Sequence, residues 1–503
     1  MFVRKKKNRS GLVSVQVIDK SSGTYRVKQT IGSSSDILEV ERLVEKGKKW
    51  IESYKGELKL DLDGLKKQTH NILDNISELS LCGPDMLLGK IFDEIGFNKI
   101  SSPLFKPLVL SRVENPTSKL KTTDYWKKYY NTEVGVVNIY RYLDKLHDNE
   151  QDLVQRISFE HTRKILGGSI QMLFYDVTTI YFEAEQEDEL RRTGFSKDGK
   201  HQHPQIVLGL LVSNGGYPLA YDVFEGNKYE GETMLPIIDS FKEKYGFQQI
   251  TIVADAGLIN NRNIADLEER SYQYILGARI KNETKSIKEK ILSLKLANGQ
   301  SSVISKNESS KLIINYSDKR AGKDSHNRKR GLTRLEKQIK SGKLTKANIN
   351  NRGYNKYLKM KGKVSIEIDR DKLEEDTKWD GLKGYQTNAD MPPSKIIENY
   401  KHLWKIEKAF RISKHDLKIR PIFHRIEKRI ESHICLSFVA YKIYKELERQ
   451  LEIKKAGISP EKAIDIARTI YKIKIDINSK ESVEKLLLLK DEQKWLAQLF
   501  ELV

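Results

Sequence analysis

Cysteine is almost absent: Cys82 and Cys435 are the only two in 503 residues. Neither a disulfide framework nor a cysteine-based zinc site can be built from them, and a reducing compartment fits. No stretch reaches the eighteen or so apolar residues that a membrane span needs. The basic opening MFVRKKKNRSG is followed by no long apolar segment, so an unexported, cytoplasmic protein with no membrane partner is expected. Internal repeats are missing, and no helix-turn-helix pattern stands out, which leaves any sequence-reading residues unnamed. Acidic residues are in deficit, 69 against 90 lysines and arginines, for a net charge of +21. That balance disfavours an acidic surface and favours a polyanionic partner. From Ser317 to Lys346 there are eleven basic against three acidic residues. Such concentration points to nucleic acid rather than to an evenly solvated lysine-rich surface.

The length exceeds one ordinary core, so a large domain with smaller modules is expected. LVSVQVI (12–18) and YRVKQTI (25–31), separated by DKSSG, predict a β-hairpin. The spacing of Ile37, Leu38, Val40, Leu43, Val44 and Trp50 predicts a helix over 36–54, and helical patterns continue from 84 to about 163. An alternation follows. It runs from the strand QMLFYDV, through a strand pair turning at Asn214-Gly215-Gly216, a helix over 233–245 and the strand QITIVADAG, to a helix over 263–270 and the strand YQYILGARI. Three strands, helix, strand, helix, strand is the order of a ribonuclease H-like domain, an analogy of fold that names no reaction. The expected organisation is a basic hairpin and helix (1–60), a helical region (61–165), a core in two parts (166–282 and 379–450) around a basic insertion (283–378), and a helical C-terminal region (451–503). The fold class is α/β: a mixed five-stranded sheet with helices, interrupted by the insertion, beside a mostly helical N-terminal region.

Asp176 ends the run Met172-Leu173-Phe174-Tyr175, and Asp255 ends Ile250 to Ala254 just before a glycine. Both are placed near strand C-terminal ends, where open α/β sheets carry their sites. An unpaired carboxylate in an apolar setting costs several kcal/mol, and metal coordination is one way to offset that. Either aspartate taken alone is more often the polar start of a loop. On one continuous helix through NYKHLWKIEKAFRISKHDL, Tyr400, Trp404, Glu407, Arg411 and Lys414 share a face. Leu403, Ile406, Phe410 and Leu417 form the adjacent docking stripe. Glu407 alone reads equally as a surface glutamate paired with Lys408 or Arg411, and Trp404 equally as core. His201 and His203, in a charged loop without cysteine partners, read as surface residues rather than metal ligands.

The segment resembles the Tyr-x2-Arg-x3-Glu-x6-Lys signature of bacterial insertion-sequence transposases of the DDE class. Tyr400, Glu407 and Lys414 match it in identity and spacing, while Leu403 stands at the arginine position. The phosphate contact of that arginine is left to Lys401, Lys405 or Arg411. FYDVTTIYFE is similar to the family's first aspartate motif, VADAGL to its second, and WDGLKGYQTN to the strand entering the glutamate segment, all in order over about residues 110–445.

The resemblance implies a ribonuclease H-like core in which Asp176, Asp255 and Glu407 are the catalytic carboxylates. It implies that they hold two Mg²⁺ ions, replaceable by Mn²⁺, for cleavage at element ends and strand transfer. It implies terminal inverted repeats and target DNA as partners, gripped by Tyr400, Trp404, Arg411 and Lys414, with the helical region 61–165 binding the DNA ends. A homodimer in the synaptic complex and a nucleoid-associated location in the bacterial cytoplasm go with it. Two rival readings stay open: a ribonuclease H-like nuclease without strand transfer, and a DNA-binding regulator derived from a transposase.

Overall fold

The computed structural model describes all residues except 55–68, 71, 247–249, 259, 362–364 and 478–480. Part of the stretch expected to be helical over 61–165 therefore lies outside the described residues. The chain divides into two compact units, Met1–Glu78 with Ile473–Lys485, and Leu79–Lys472 with Leu486–Val503. In the first unit, Val13–Asp19 pairs antiparallel with Arg26–Ser34, as the hairpin pattern predicts, and Phe2–Lys7 adds a third strand on its other side. Gly23, at φ +76°, makes the turn that a residue with a Cβ would strain. The helix Ile37–Tyr54 closes this small sheet, packing Val40 and Leu43 against Val15.

The second unit is built on one mixed sheet. Its strands are β1 (Met172–Tyr181), β2 (Gln205–Val212), β3 (Pro218–Glu225), β4 (Thr251–Ala254), β5 (Gln273–Ala278), β6 (Ser301–Ser305), β7 (Lys311–Tyr316) and β8 (Leu382–Thr387). The spatial order is β6-β7-β8-β5-β4-β1-β2-β3, with β1, β4 and β5 parallel and the other pairs antiparallel. The sheet thus has eight strands, not the expected five. The two extra hairpin strands, β6 and β7, come from the segment expected to be a separate insertion. Strand β8 presents a free edge to them once it has paired with β5, and a paired edge is more stable than an open one. The rest of that segment includes the helix Asp318–Lys340, whose Leu335 packs with Tyr357 and Leu358 in a small core of its own.

Side chains alternate across the sheet. Leu173, Tyr175 and Val177 of β1 face a cluster with Met234, Ile238 and Phe241 of the helix Met234–Tyr245. Phe174 faces the opposite, larger cluster, which contains Ile406, Ala409 and Phe410 and the long helix Glu427–Ile453. That helix is buried along most of its length and packs against the helices Gly83–Ile95, Phe105–Glu114 and Val136–Asn149. No helix among the described residues is long and apolar enough to cross a membrane.

Candidate active site

The register of the sheet brings the two aspartates together. Parallel pairing of β1 with β4 ends at Tyr175 opposite Ala254, so Asp176 and Asp255 are the next residues on neighbouring strands. By alternation, Asp176 lies on the side of Phe174 and Asp255 on the side of Val253, both members of the cluster that holds Ile406 and Phe410. Asp255 follows its strand's last residue, as expected. Asp176 does not end its strand, because β1 continues to Tyr181 through antiparallel pairing with β2. Asp176 instead marks the point where the parallel partner stops and the face opens.

Glu407 reaches the same neighbourhood from above. The expected continuous helix is broken: Pro393–Lys401 and Trp404–Arg411 are separate helices, and Ile412–Asp416 is a π-helical turn. Leu403 donates its N–H to Tyr400 O at 3.1 Å, a tight turn that resets the phase between the two helices. The five residues placed on one face consequently differ in burial. Tyr400 is buried at 5 % exposure, whereas Trp404 is 53 % exposed, which excludes core packing as its role. Glu407 and Arg411 are exposed. Lys408, one of the two partners a surface Glu407 could have used, donates instead to Glu448 at 2.5 Å.

Tyr400 links the elements. Its hydroxyl donates to Asp255 Oδ1 at 2.8 Å, and its ring meets that of Tyr385 at 4.9 Å. Burial, then the charges of Asp255 and Glu407, push its phenol above the ordinary range, so it stays a neutral donor. On Asp176, burial outweighs the nearby Lys197 ammonium, and with Asp255 and Glu230 as further negative neighbours the carboxyl rises to about 6. Lys197 Nζ donates to Val177 O at 2.6 Å and lies 3.7 Å from Asp176 Oδ1 and 3.2 Å from Glu230 Oε1. Lys414 sits 3.1 Å from Asp198 Oδ2, an oxygen it shares with Arg420 at 2.6 Å.

Sequence reasoning singled out none of Lys197, Glu230, Asp198 or Lys383. Lys383 does fall inside the quoted segment WDGLKGYQTN. The others carry no local signal, since only the return of distant loops brings them to the site. His201 is exposed and its Nδ1 accepts from Ser196 N at 3.2 Å, in keeping with a surface role.

Among the described residues, no three His, Cys, Asp or Glu side chains are close enough to hold one ion. The two aspartates are side by side, and Glu407 comes from the helix that packs on β1. A hard divalent cation nevertheless suits this donor set. Its ligands would all be carboxylate oxygens, and Asp176 is a half-buried carboxyl whose desolvation the single ammonium of Lys197 does not offset. Beside Asp255 opens a cleft of about 880 Å³, lined by Tyr400 and Lys383 on the sheet side, by Arg320 and Arg328 of the helix Asp318–Lys340 and by Lys356; Arg328 pairs with Asp380 and Lys356 with Asp376, both also in the lining.

Gly277 on β5 makes room for Tyr400. A Cβ there would run into the Tyr400 hydroxyl and crowd Ala256 N. Gly277→Ala should therefore push the hydroxyl off Asp255 and slow any reaction that depends on that carboxylate by about 100-fold, as misplacements of about 1 Å can. Single-turnover rates alongside a thermal melt check this: an unchanged rate in a folded variant would show that the Tyr400–Asp255 contact carries no weight.

These observations describe an acidic pair on adjacent strands beside a cleft in which cations outnumber carboxylates. The transposase DDE domain family model matches residues 167–443, and the chain belongs to that family, whose function is DNA transposition. No curated protein matches the chain. A similar solved structure is a piggyBac transposase synaptic complex with hairpin DNA, at 10 % identity over 76 % of each chain and a TM-score of 0.38.

Proposed function

We propose that Asp176, Asp255 and Glu407 are the catalytic carboxylates of a ribonuclease H-like core that cleaves DNA at the ends of an insertion element and transfers the freed 3′ hydroxyl to target DNA. The observation that carries this is the placement of Asp176 and Asp255 on adjacent parallel strands, on the sheet face that also receives the Glu407 helix. The order of β3-β2-β1-β4-β5 supports the ribonuclease H-like reading. Two Mg²⁺ ions, or Mn²⁺, held by these carboxylates would supply Lewis-acid assistance to the attacking and leaving oxygens.

The chain's own residues do the remaining work. Tyr400 orients Asp255 through its hydroxyl, Lys197 steadies Asp176, and the exposed Trp404 and Arg411 with Lys414 hold the DNA beside them. In the first step water bonds to phosphorus as the P–O3′ bond breaks and the 3′ oxygen leaves as a hydroxyl. In the second, that hydroxyl attacks another phosphodiester, exchanging one P–O bond for another. The same reading assigns terminal inverted repeats and target DNA as partners, a homodimer in the synaptic complex, and a nucleoid-associated place in a bacterial cytoplasm.

The test is incubation of end-labelled DNA carrying the repeat that flanks the gene, with Mg²⁺ and with EDTA. Metal-dependent nicking at the repeat boundary followed by joining of that 3′ end to a target supports the proposal. Nicking without joining would favour the plain nuclease, and binding without any cutting the regulator.

Metal affinity should depend on pH with a known sign. Asp176 titrates at about 6, because burial and neighbouring carboxylates favour its neutral form. Below that pH it keeps a proton that a cation must displace, and above it the ligand is charged. Mn²⁺ affinity should accordingly fall by about tenfold per pH unit below 6 and level off above it. Calorimetric titration from pH 5 to 8 checks this, and an affinity flat across that range would remove Asp176 from the ligand set.

A further inference from the structure

The signature's arginine is replaced by Leu403, which is buried at 7 % exposure and can meet no phosphate. Of the neighbouring cations one is already engaged and two stand in solvent, where Arg411 holds DNA in the reading above. Lys405 donates to Asn214 O at 2.6 Å, and Lys401 and Arg411 are exposed residues on helix ends. A cation from another element stands at the site instead. Lys383, the second residue of β8, lies opposite Asn315 of β7 and next to Gly384, which pairs with Ala278. Its Nζ is 4.3 Å from the centre of the Tyr400 ring and 5.3 Å from that of Tyr385. That places it beside the ring whose hydroxyl holds Asp255.

Lys383 is partly buried and feels Asp255 and Glu407 on one side and Arg320 on the other. Among the described residues it makes no ion pair or hydrogen bond, only the two ring contacts. An ammonium taken out of water without an anion is unfavourable. Arg320 faces the same cleft from the helix Asp318–Lys340, and among the described residues its acidic partner is Asp324 on the same helix, at 3.6 Å. Two cations thus line the cleft next to Asp255, Lys383 without an anion of its own and Arg320 with a loose contact at 3.6 Å, and a bridging phosphodiester would pair with both.

We propose that Lys383 and Arg320 form a seat for a backbone phosphate of the element-end strand that is cut, with Lys383 supplying from β8 the contact that the signature places three residues after Tyr400. This rests on the transposase reading. It assigns a phosphate contact to residues outside the Tyr400–Lys414 segment and joins the basic helix to the reacting strand.

The test is a methylphosphonate walk, in which single phosphates of the end duplex, and separately of a target duplex, are made neutral one at a time and binding is measured in EDTA. Wild type should lose about tenfold in affinity at one phosphate near the cut. Lys383→Gln should lose about tenfold on unmodified DNA and nothing further at that phosphate, while keeping its sensitivity elsewhere, and Lys383→Arg should restore the wild-type pattern. The slope of log affinity against log salt should shrink by about 0.9 for Lys383→Gln and about twice that with Arg320→Gln added. A merely structural role would weaken binding at all positions without erasing one of them. An unchanged pattern in Lys383→Gln overturns the seat, and a pattern erased only on the target duplex overturns its assignment to the cut strand. Either result leaves metal-dependent cutting by wild type intact, whereas wild type that neither binds nor cuts end DNA would overturn the transposase reading itself.

Discussion

Glu407→Gln is expected to slow strand cleavage by at least about a thousandfold, near 4 kcal/mol of lost transition-state stabilisation, while affinity for end DNA stays within about twofold. The amide keeps the size of the side chain and removes its charge, so what is lost is a ligand rather than packing. Glu407 is exposed, and the lysine beside it in sequence is committed to Glu448, so the substitution breaks no ion pair with Lys408. The helix remains anchored by Ile406, Ala409 and Phe410, all buried. Quench-flow cleavage together with a binding isotherm separates the two quantities. A variant that cuts within tenfold of wild type would remove Glu407 from the reaction, and one that no longer binds would make it a DNA contact instead.

Leu436→Ala is expected to cost about 2–5 kcal/mol of stability, the range for removing a buried leucine from a core that cannot collapse onto the gap. Leu436 has no exposure and lies midway along the helix Glu427–Ile453. That helix connects the face bearing Phe174 and Ile406 to the helices Phe105–Glu114 and Val136–Asn149. Ser432, one turn earlier, donates its hydroxyl to Leu143 O at 2.6 Å, which fixes the helix in place and limits relaxation. Urea unfolding measures the loss. A change below about 1 kcal/mol would mean that this helix is not the spine of the unit.

How much of this was legible from sequence follows from the range of the forces involved. Asp255 was legible because a short apolar strand ending in Asp-Ala-Gly is a local pattern, and so was the pairing of Val13–Asp19 with Arg26–Ser34. The course of β1 beyond Asp176 was not, because it depends on β2, some thirty residues later, offering an antiparallel partner as far as Gln205. The five-strand expectation failed for the same reason: the joining of β7 to β8 is a contact between residues about seventy apart in sequence. The helix from Pro393 read as continuous because its apolar period barely changes across His402-Leu403. The tight turn there and the π turn at Ile412–Asp416 move Lys414 off the Glu407 face and onto Asp198. Composition located positive charge along the chain but could not place Lys383 over the Tyr400 ring, since that position depends on the register of β8 against β5 and β7.

The proposed function requires Glu407 to share its ions with the Asp176–Asp255 pair once metal and end DNA are bound. The most direct test is Mn²⁺ binding followed by electron paramagnetic resonance on the protein bound to its end duplex, corrected for the duplex alone, in wild type and in Asp176→Asn, Asp255→Asn and Glu407→Gln. Tight binding of two ions in wild type and loss of at least one in each variant is the predicted result. Equal Mn²⁺ binding by all four proteins would contradict it.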